Sequence, residues 1–248
     1  MSDSGLLDLL HTTVDAVQAA LGDIDDWGPA GTRPGQYRSD LVADEAAVDR
    51  LTAAGMGVLS EESGRHHPER AITVVVDPLD GSTNASRALS WWACSLCAVD
   101  EHGPLTAVVA DLVHGTRYTA TRGGGAWADG RPLATSGCTR MSDALVGVNG
   151  LPDRHLGWAQ FRALGAAALD LCSVAAGSMD AYADLTESGL APWDYMGALL
   201  ICREAGAAVE EVRDRELVVT EEGERRSPCA AATPALLASL RRALVDPG

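Results

Sequence analysis

Apolar residues recur at Leu6, Leu9, Leu10, Val14, Val17 and Leu21, the stripe of a helix over residues 3 to 21. A Gly- and Pro-rich loop, WGPAGTRPGQ, follows, and DLVADEAAVDRLTAAG predicts a second helix closed by Gly55. From there the period shortens. MGVLS and AITVVVD predict strands, and SWWACSLCAVD, PLTAVVADLV and TRYTATR read as consecutive strands broken by EHG and HG turns. ALVGVNG predicts another strand, and an Ala-rich run from about Phe161 to Ser178 a buried helix. A helix from Asp194 to Ala205, strands at AAVEEV and ELVVT, and a closing helix at PALLASLRRAL complete the chain. No repeat, linker or low-complexity segment divides it. Strand runs mixed with helix pairs predict a layered α/β or α+β architecture.

Bulk properties narrow the function. At 248 residues and 46% hydrophobic content, the chain can bury a full core as one large domain or two apposed halves. Its net charge of −16 argues against a nucleic-acid partner, which clustered cations would hold. All 19 basic residues are Arg, a composition bias that carries little functional weight. The opening residues lack the basic region and apolar run of a signal peptide, and no stretch is long and apolar enough for a membrane span. A cytoplasmic location with reduced thiols is the expectation. Cys94 and Cys97 form a C-x-x-C inside a strand; with no second such pair, they read as core packing. The GGG at 123–125 has no following Lys-Ser/Thr and reads as a hairpin turn, and His66 and His67 read as part of a solvated loop.

Three acidic segments change the picture: LSEESG with Glu61 and Glu62, VVVDPLDGSTN with Asp77 and Asp80, and APWDYMGALLICREAG with Asp194. Pro78 holds Asp77 extended and ends its strand. Asp80 falls on the turn with Gly81, so two carboxylates can converge on one point. Ser82, Thr83 and Asn84 are candidates to cap a short helix, and backbone N–H groups at such a turn cradle anions. Taken singly, each segment is also what an ordinary strand–turn corner, a solvated turn or a helix cap would supply. Together, carboxylates that gather a hard cation beside an anion cradle are the parts of phosphate-ester chemistry. The D-x-x-D spacing with Pro between suits metal ligation better than the D-x-D of haloacid-dehalogenase-type phosphatases.

LSEES, VVVDPLDGSTN and PWDYMGALLICREAG resemble the three signature segments of the inositol monophosphatase family, within the Mg²⁺-dependent, lithium-sensitive phosphatase superfamily that includes fructose-1,6-bisphosphatase. The likeness runs along nearly the whole chain. SDLVAD resembles the family's early aspartate segment, GTRYTATRGGGAWADGRPL its middle hairpin, and GAAALDLCSVAAGSMDAY its central helix and following strand. The resemblance implies a five-layer α-β-α-β-α sandwich, a single catalytic unit over residues 1–248 divided near residue 140 into halves 1–140 and 141–248, and a homodimer.

It further implies that Glu61, Asp77, Asp80, Asp194 and the carbonyl of Leu79 bind two or three Mg²⁺ ions, for which Mn²⁺ can substitute, with Asp77 bridging and Asp44 near a weaker third site. Gly81, Ser82 and Thr83 would hold the phosphate, with Asp194 also facing substrate. Glu61, Ser82 and Asp77 would serve catalysis by a metal-activated water. The implied function is a phosphomonoesterase acting on a small polyol phosphate, inositol 1-phosphate first. Histidinol phosphate and fructose 1,6-bisphosphate are the alternatives, as is a non-catalytic, metabolite-binding member of the fold. The sequence departs from the family at Ser82, where Thr is usual, and at Ala85, where Phe is common. A family Lys upstream of Asp44 has Arg38 as its nearest match. The segment before Asp194 is longer than typical, which leaves Asp184 or Glu187 to face substrate hydroxyls, with Glu187 slightly favoured.

Overall fold

The computed structural model describes residues 3–245. The chain opens with helices α1 (Asp3–Gly22) and α2 (Arg38–Ala53). Strands β1 (Gly57–Ser60), β2 (Gly64–His66) and β3 (Thr73–Asp80) follow, then the one-turn helix α3 (Ser82–Ser86). Next come β4 (Ala93–Asp100), β5 (Gly103–Asp111), β6 (Arg117–Thr121), β7 (Gly125–Ala128) and β8 (Arg131–Pro132). These eight strands form one sheet in the order β2-β1-β3-β4-β5-β6-β7-β8. The second part holds β9 (Leu145–Asn149), β10 (Gln160–Arg162), α4 (Ala167–Ala175), β11 (Ala181–Asp184), α5 (Pro192–Glu204), β12 (Ala208–Glu211), β13 (Pro228–Ala231) and α6 (Pro234–Val245). Its five strands order as β10-β9-β11-β13-β12.

The layers follow from which faces are apolar. Leu6, Leu10, Val14 and Val17 of α1 pack with Val74 and Val76 of β3 in one core, while Val75 points the other way into a second core with α4 and α5. A strand buried on both faces has no use for alternating polarity, which is why TVVV reads as a continuous apolar run. Each of those buried side chains contributes roughly 1.5–3 kcal/mol. α4 and α5 lie between the two sheets, and α6 closes the far face of the five-stranded sheet through Leu236, Leu237 and Leu240. The result is the five-layer α-β-α-β-α sandwich expected from the sequence. Gly197 lets α5 lie directly on β4 and β5: a Cβ there would come within 2.9 Å of Ser95 Oγ.

Three expectations are corrected. The helix expected from Phe161 to Ser178 is confined to Ala167–Ala175; Gln160–Arg162 instead pairs with β9 as a strand, and Gly165 in the left-handed region breaks the run. ELVVT, residues 216–220, forms no strand. The strand that completes the sheet is β13, whose Pro-Cys-Ala-Ala run lacks the β-branched residues that advertise one. The helix placed at Asp194 starts two residues earlier, with Pro192 in its first turn.

Candidate active site

Strand register brings two acids together. β1 and β3 run parallel with Ser60 opposite Val76, so the next residues, Glu61 just past the end of β1 and Asp77 within β3, stand side by side. The Glu61 N–H donates to the Val76 carbonyl at 3.1 Å and continues the ladder one step further. The pairing of β3 with β4 then shifts between Asp77 and Asp80, where Pro78 supplies no N–H. Asp77 Oδ1 accepts the Leu79 N–H at 3.1 Å, which fixes the carboxylate at the register shift. α5 delivers the third acid: Asp194 sits in its first turn, and its Oδ2 accepts the Ala191 N–H at 2.7 Å. Asp194 therefore braces the helix start from inside the first turn. Oxygens of Glu61, Asp77 and Asp194 all lie within 4.8 Å of one another.

Asp80, expected in the same group, stands beside it. Its Oδ2 accepts the Ala168 N–H at 2.7 Å, in the first turn of α4. Gly81 caps α3 with φ 85°, in place of Ser82, Thr83 or Asn84. A Cβ at Gly81 would lie 3.0 Å from the Trp91 carbonyl and 3.1 Å from that of Gly165, so the turn is closed against its surroundings. Asn84 locks it further, donating to the carbonyls of Trp91 at 2.7 Å and Leu164 at 2.8 Å. Thr83 Oγ1 accepts from the Tyr37 hydroxyl at 3.3 Å. Asp44 is buried on α2 with Ser60 Oγ donating to it, outside the three-acid group. Asp184 is buried at the end of β11, and Glu187 is exposed on the loop beyond.

The electrostatics are those of a site short of positive charge. Burial, and then the neighbouring acids, push every member upward: Glu61 to about 8, with Asp194 and Glu62 its main charged neighbours, and Asp194 to about 7, with Asp80 beside it. Asp80 rises to about 8, again by burial first. Asp77 is pushed up by burial and by Glu61, Asp80 and Asp194. Carboxyls that fill with protons for want of a counter-charge are a fit for hard divalent cations with oxygen preference, Mg²⁺ or Mn²⁺.

Four residues that the sequence reading passed over belong to this region. Asp40 is buried with Oδ1 unpartnered and is raised to about 6 by burial, with Glu62 and Ser82 among its neighbours. Asp170, raised to about 7 by burial, accepts the Trp91 indole N–H at 2.9 Å and lies near Asp80. Arg33 corrects the expectation for Arg38: Arg38 pairs with Asp26, while Arg33 donates to Glu62 at 2.6 Å and to the Glu61 carbonyl at 3.3 Å. Arg225 lies 4.0 Å from Asp194 and over the Trp193 ring. Asp40, in the quoted SDLVAD segment, could have been found; nothing in local spacing points to the two arginines.

The profile of the inositol monophosphatase family matches residues 37–245. The chain belongs to the inositol monophosphatase family. It is 35% identical over 202 residues to an inositol-1-monophosphatase of Mesorhizobium japonicum, covering 72% of this chain and 73% of that protein. It is also 35% identical over 219 residues to the Nus factor SuhB of Salmonella typhimurium, covering 81% and 78%. The extragenic suppressor protein suhB of Bartonella henselae superposes with a TM-score of 0.84 at 24% identity, covering 98% of this chain and 100% of that one, and so shares the fold. As a family member the chain is a phosphoric monoester hydrolase, of a family that depends on Mg²⁺. None of the described helices is long and apolar enough to cross a membrane.

Proposed function

We propose that the chain hydrolyses a small phosphate monoester of a hydroxyl-bearing alcohol, with inositol 1-phosphate the reference substrate and histidinol phosphate and fructose 1,6-bisphosphate as the alternatives. The observation that carries this reading is the convergence of Glu61, Asp77 and Asp194 within 4.8 Å. These three, with Asp80 and the Leu79 carbonyl beside them, would hold two or three Mg²⁺ ions, or Mn²⁺ in their place, with Asp44 near a weaker one. Bound there, the cations supply Lewis acidity and lower the pKa of a water. The rest falls to the chain. Glu61, an ionised carboxylate once a cation is bound beside it, is the group placed to receive a proton from the attacking water. The Ser82 hydroxyl orients that water, and the Gly81–Ser82–Thr83 turn offers backbone N–H groups to phosphate. Asp184 or Glu187 faces the alcohol. The same reading includes a homodimer, lithium sensitivity, a cytoplasmic setting and a single catalytic unit divided near residue 140.

A non-catalytic member of the fold, acting through a partner, is the second reading; the name Nus factor SuhB among the relatives is what raises it. Three converging acids, Asp77 buried and Glu61 and Asp194 half-buried, have no evident use in such a protein, and a net charge of −16 works against a nucleic-acid surface. Phosphate release from the three esters, measured colorimetrically with Mg²⁺ and with EDTA, tests the proposal. Mg²⁺-dependent release from at least one is expected; none from any of them overturns it.

A further inference from the structure

Arg225 and Arg226 stand side by side in the loop between β12 and β13, and the fold uses them in opposite ways. Arg226 is the anchor. Its backbone forms an antiparallel bridge with Leu190, in the segment leading to Asp194, through N–H to carbonyl bonds of 2.8 and 2.7 Å. Its guanidinium donates to the Glu216 carbonyl at 2.6 Å, to Glu224 at 2.5 Å and to the Arg225 carbonyl at 2.8 Å. Gly189, at φ 72°, permits the approach, since a Cβ there would lie 2.8 Å from the Arg226 carbonyl oxygen. Further along, the same loop reaches the β1–β2 hairpin beside Glu61, where Arg65 donates to the Thr220 carbonyl. The chain at Arg225 is thus tied to both segments that deliver acids to the site.

The Arg225 side chain itself is free. It is 50% exposed, and its guanidinium lies 4.0 Å from Asp194 Oδ2, beyond hydrogen-bond reach. It rests over the ring of Trp193, the neighbour of Asp194, at 6.0 Å from the centroid. Among the described residues it donates no hydrogen bond. Arg33, the other arginine at the three-acid group, spends its donors on Glu62 and on the Glu61 carbonyl. Stacking on an aromatic face limits the wandering of a guanidinium while leaving its fork of N–H groups open. A half-exposed pair at this distance stabilises a fold little, so a structural role does not account for the placement.

We propose that Arg225 is a phosphate-binding arm, which leaves Asp194 when an ester arrives and donates its fork to the oxygens of the phosphoryl group being transferred. The proposal rests on the phosphatase reading and adds to that site a residue that touches substrate. The acid oxygens lie within 4.8 Å of one another and the guanidinium 4.0 Å from one of them, so a phosphoryl group held over the acids is within reach by side-chain rotation alone. A planar guanidinium matches two phosphoryl oxygens at once, and such charge-assisted pairs are among the stronger polar contacts. Because Arg225 hangs beside Asp194 itself, the anion it meets first is the one that the acid cluster gathers.

The test follows binding by the shift in melting temperature across two series, inorganic phosphate with Mg²⁺ present and Mg²⁺ alone, for wild type and Arg225→Gln. Phosphate affinity should fall roughly 10–100-fold in the variant, the worth of hydrogen bonds between charged groups. Mg²⁺ alone should bind as well as before or up to about fivefold tighter, because a positive charge 4.0 Å from Asp194 is gone. A merely structural role would weaken both together. Arg225→Lys, which keeps the charge without the fork, should recover only part of the phosphate affinity. In turnover, kcat/KM should fall by a similar factor for inositol 1-phosphate and fructose 1,6-bisphosphate. Unchanged phosphate affinity in Arg225→Gln, or Mg²⁺ binding that weakens alongside it, overturns the proposal. So does a loss confined to the bisphosphate, which would assign Arg225 to the second phosphate. A wild type that binds phosphate through Arg225 yet releases none from any ester upholds the arm and means that the phosphatase reading has failed.

Discussion

Asp77→Asn removes one negative charge and leaves the shape of the site. The amide oxygen can still accept the Leu79 N–H that Asp77 Oδ1 takes at 3.1 Å. At the 4.8 Å limit of the cluster, two unit charges repel by ~3–4 kcal/mol at an effective dielectric near 20. Proton uptake limits that cost, since Glu61 titrates at about 8 and Asp194 at about 7. A net relief of ~2–4 kcal/mol at pH 8 is the expectation without metal. For a chain of this size that raises the melting temperature in EDTA by roughly 5–10 °C. The sign with pH follows from raised folded-state pKa values: the contribution of these acids is fully present below their unfolded pKa and lost as pH rises through the folded one. Wild type in EDTA should therefore melt lower as pH rises from about 4 to about 8. The Asn variant should follow a flatter curve, and the gap should shrink at acid pH. Added Mg²⁺ should restore wild type by ~2.7 kcal/mol at a hundredfold excess over its Kd and shift the variant little. Phosphate release should fall by ~10³-fold or more. Differential scanning fluorimetry with and without Mg²⁺, run beside the phosphate assay, reads all of this. A variant that melts below wild type in EDTA at pH 8, or keeps near-wild-type turnover, refutes the reasoning.

Other outcomes can be checked with the same two assays. Ser82→Ala should lower turnover by about 10²-fold while the Mg²⁺-induced rise in melting temperature persists, separating a hydroxyl that orients water from a metal ligand. Gly81→Ala places a Cβ at φ 85° and 3.0 Å from the Trp91 carbonyl; a loss of ~1–3 kcal/mol is expected, with turnover falling as the turn shifts. Cys94 and Cys97 are buried in different cores on opposite faces of β4, with both thiols pushed up by burial. The double Ala variant should lose stability by ~1–3 kcal/mol but keep its turnover, indifferent to reductant.

Legibility tracked how local the cause was. The stripe of α1 and the run into Asp77 could be read because each lies within a dozen residues and follows one period. Gly81 announced the strand's end, whereas Pro78, expected to end it, lies inside β3 at the register shift with β4. β13 could not be read, because small residues in its Pro-Cys-Ala-Ala run earn their place only by sheet neighbours on both sides. ELVVT looked like a strand for the opposite reason: β-branched residues without a partner edge. Asp194 was recognised as an acid at a helix start, but its meeting with Glu61 and Asp77 depends on α5 lying against β3, β4 and β5, which only the packing determines. The arginines at 33 and 225 reach the site across loops, a relation no spacing rule encodes.

Anomalous scattering from Mn²⁺-soaked crystals tests the central claim most directly. The account predicts strong peaks in contact with the carboxylates of Glu61, Asp77 and Asp194 in the wild-type protein, and their loss in Asp77→Asn. A wild-type map without density there, or with the three acids turned apart, would contradict it.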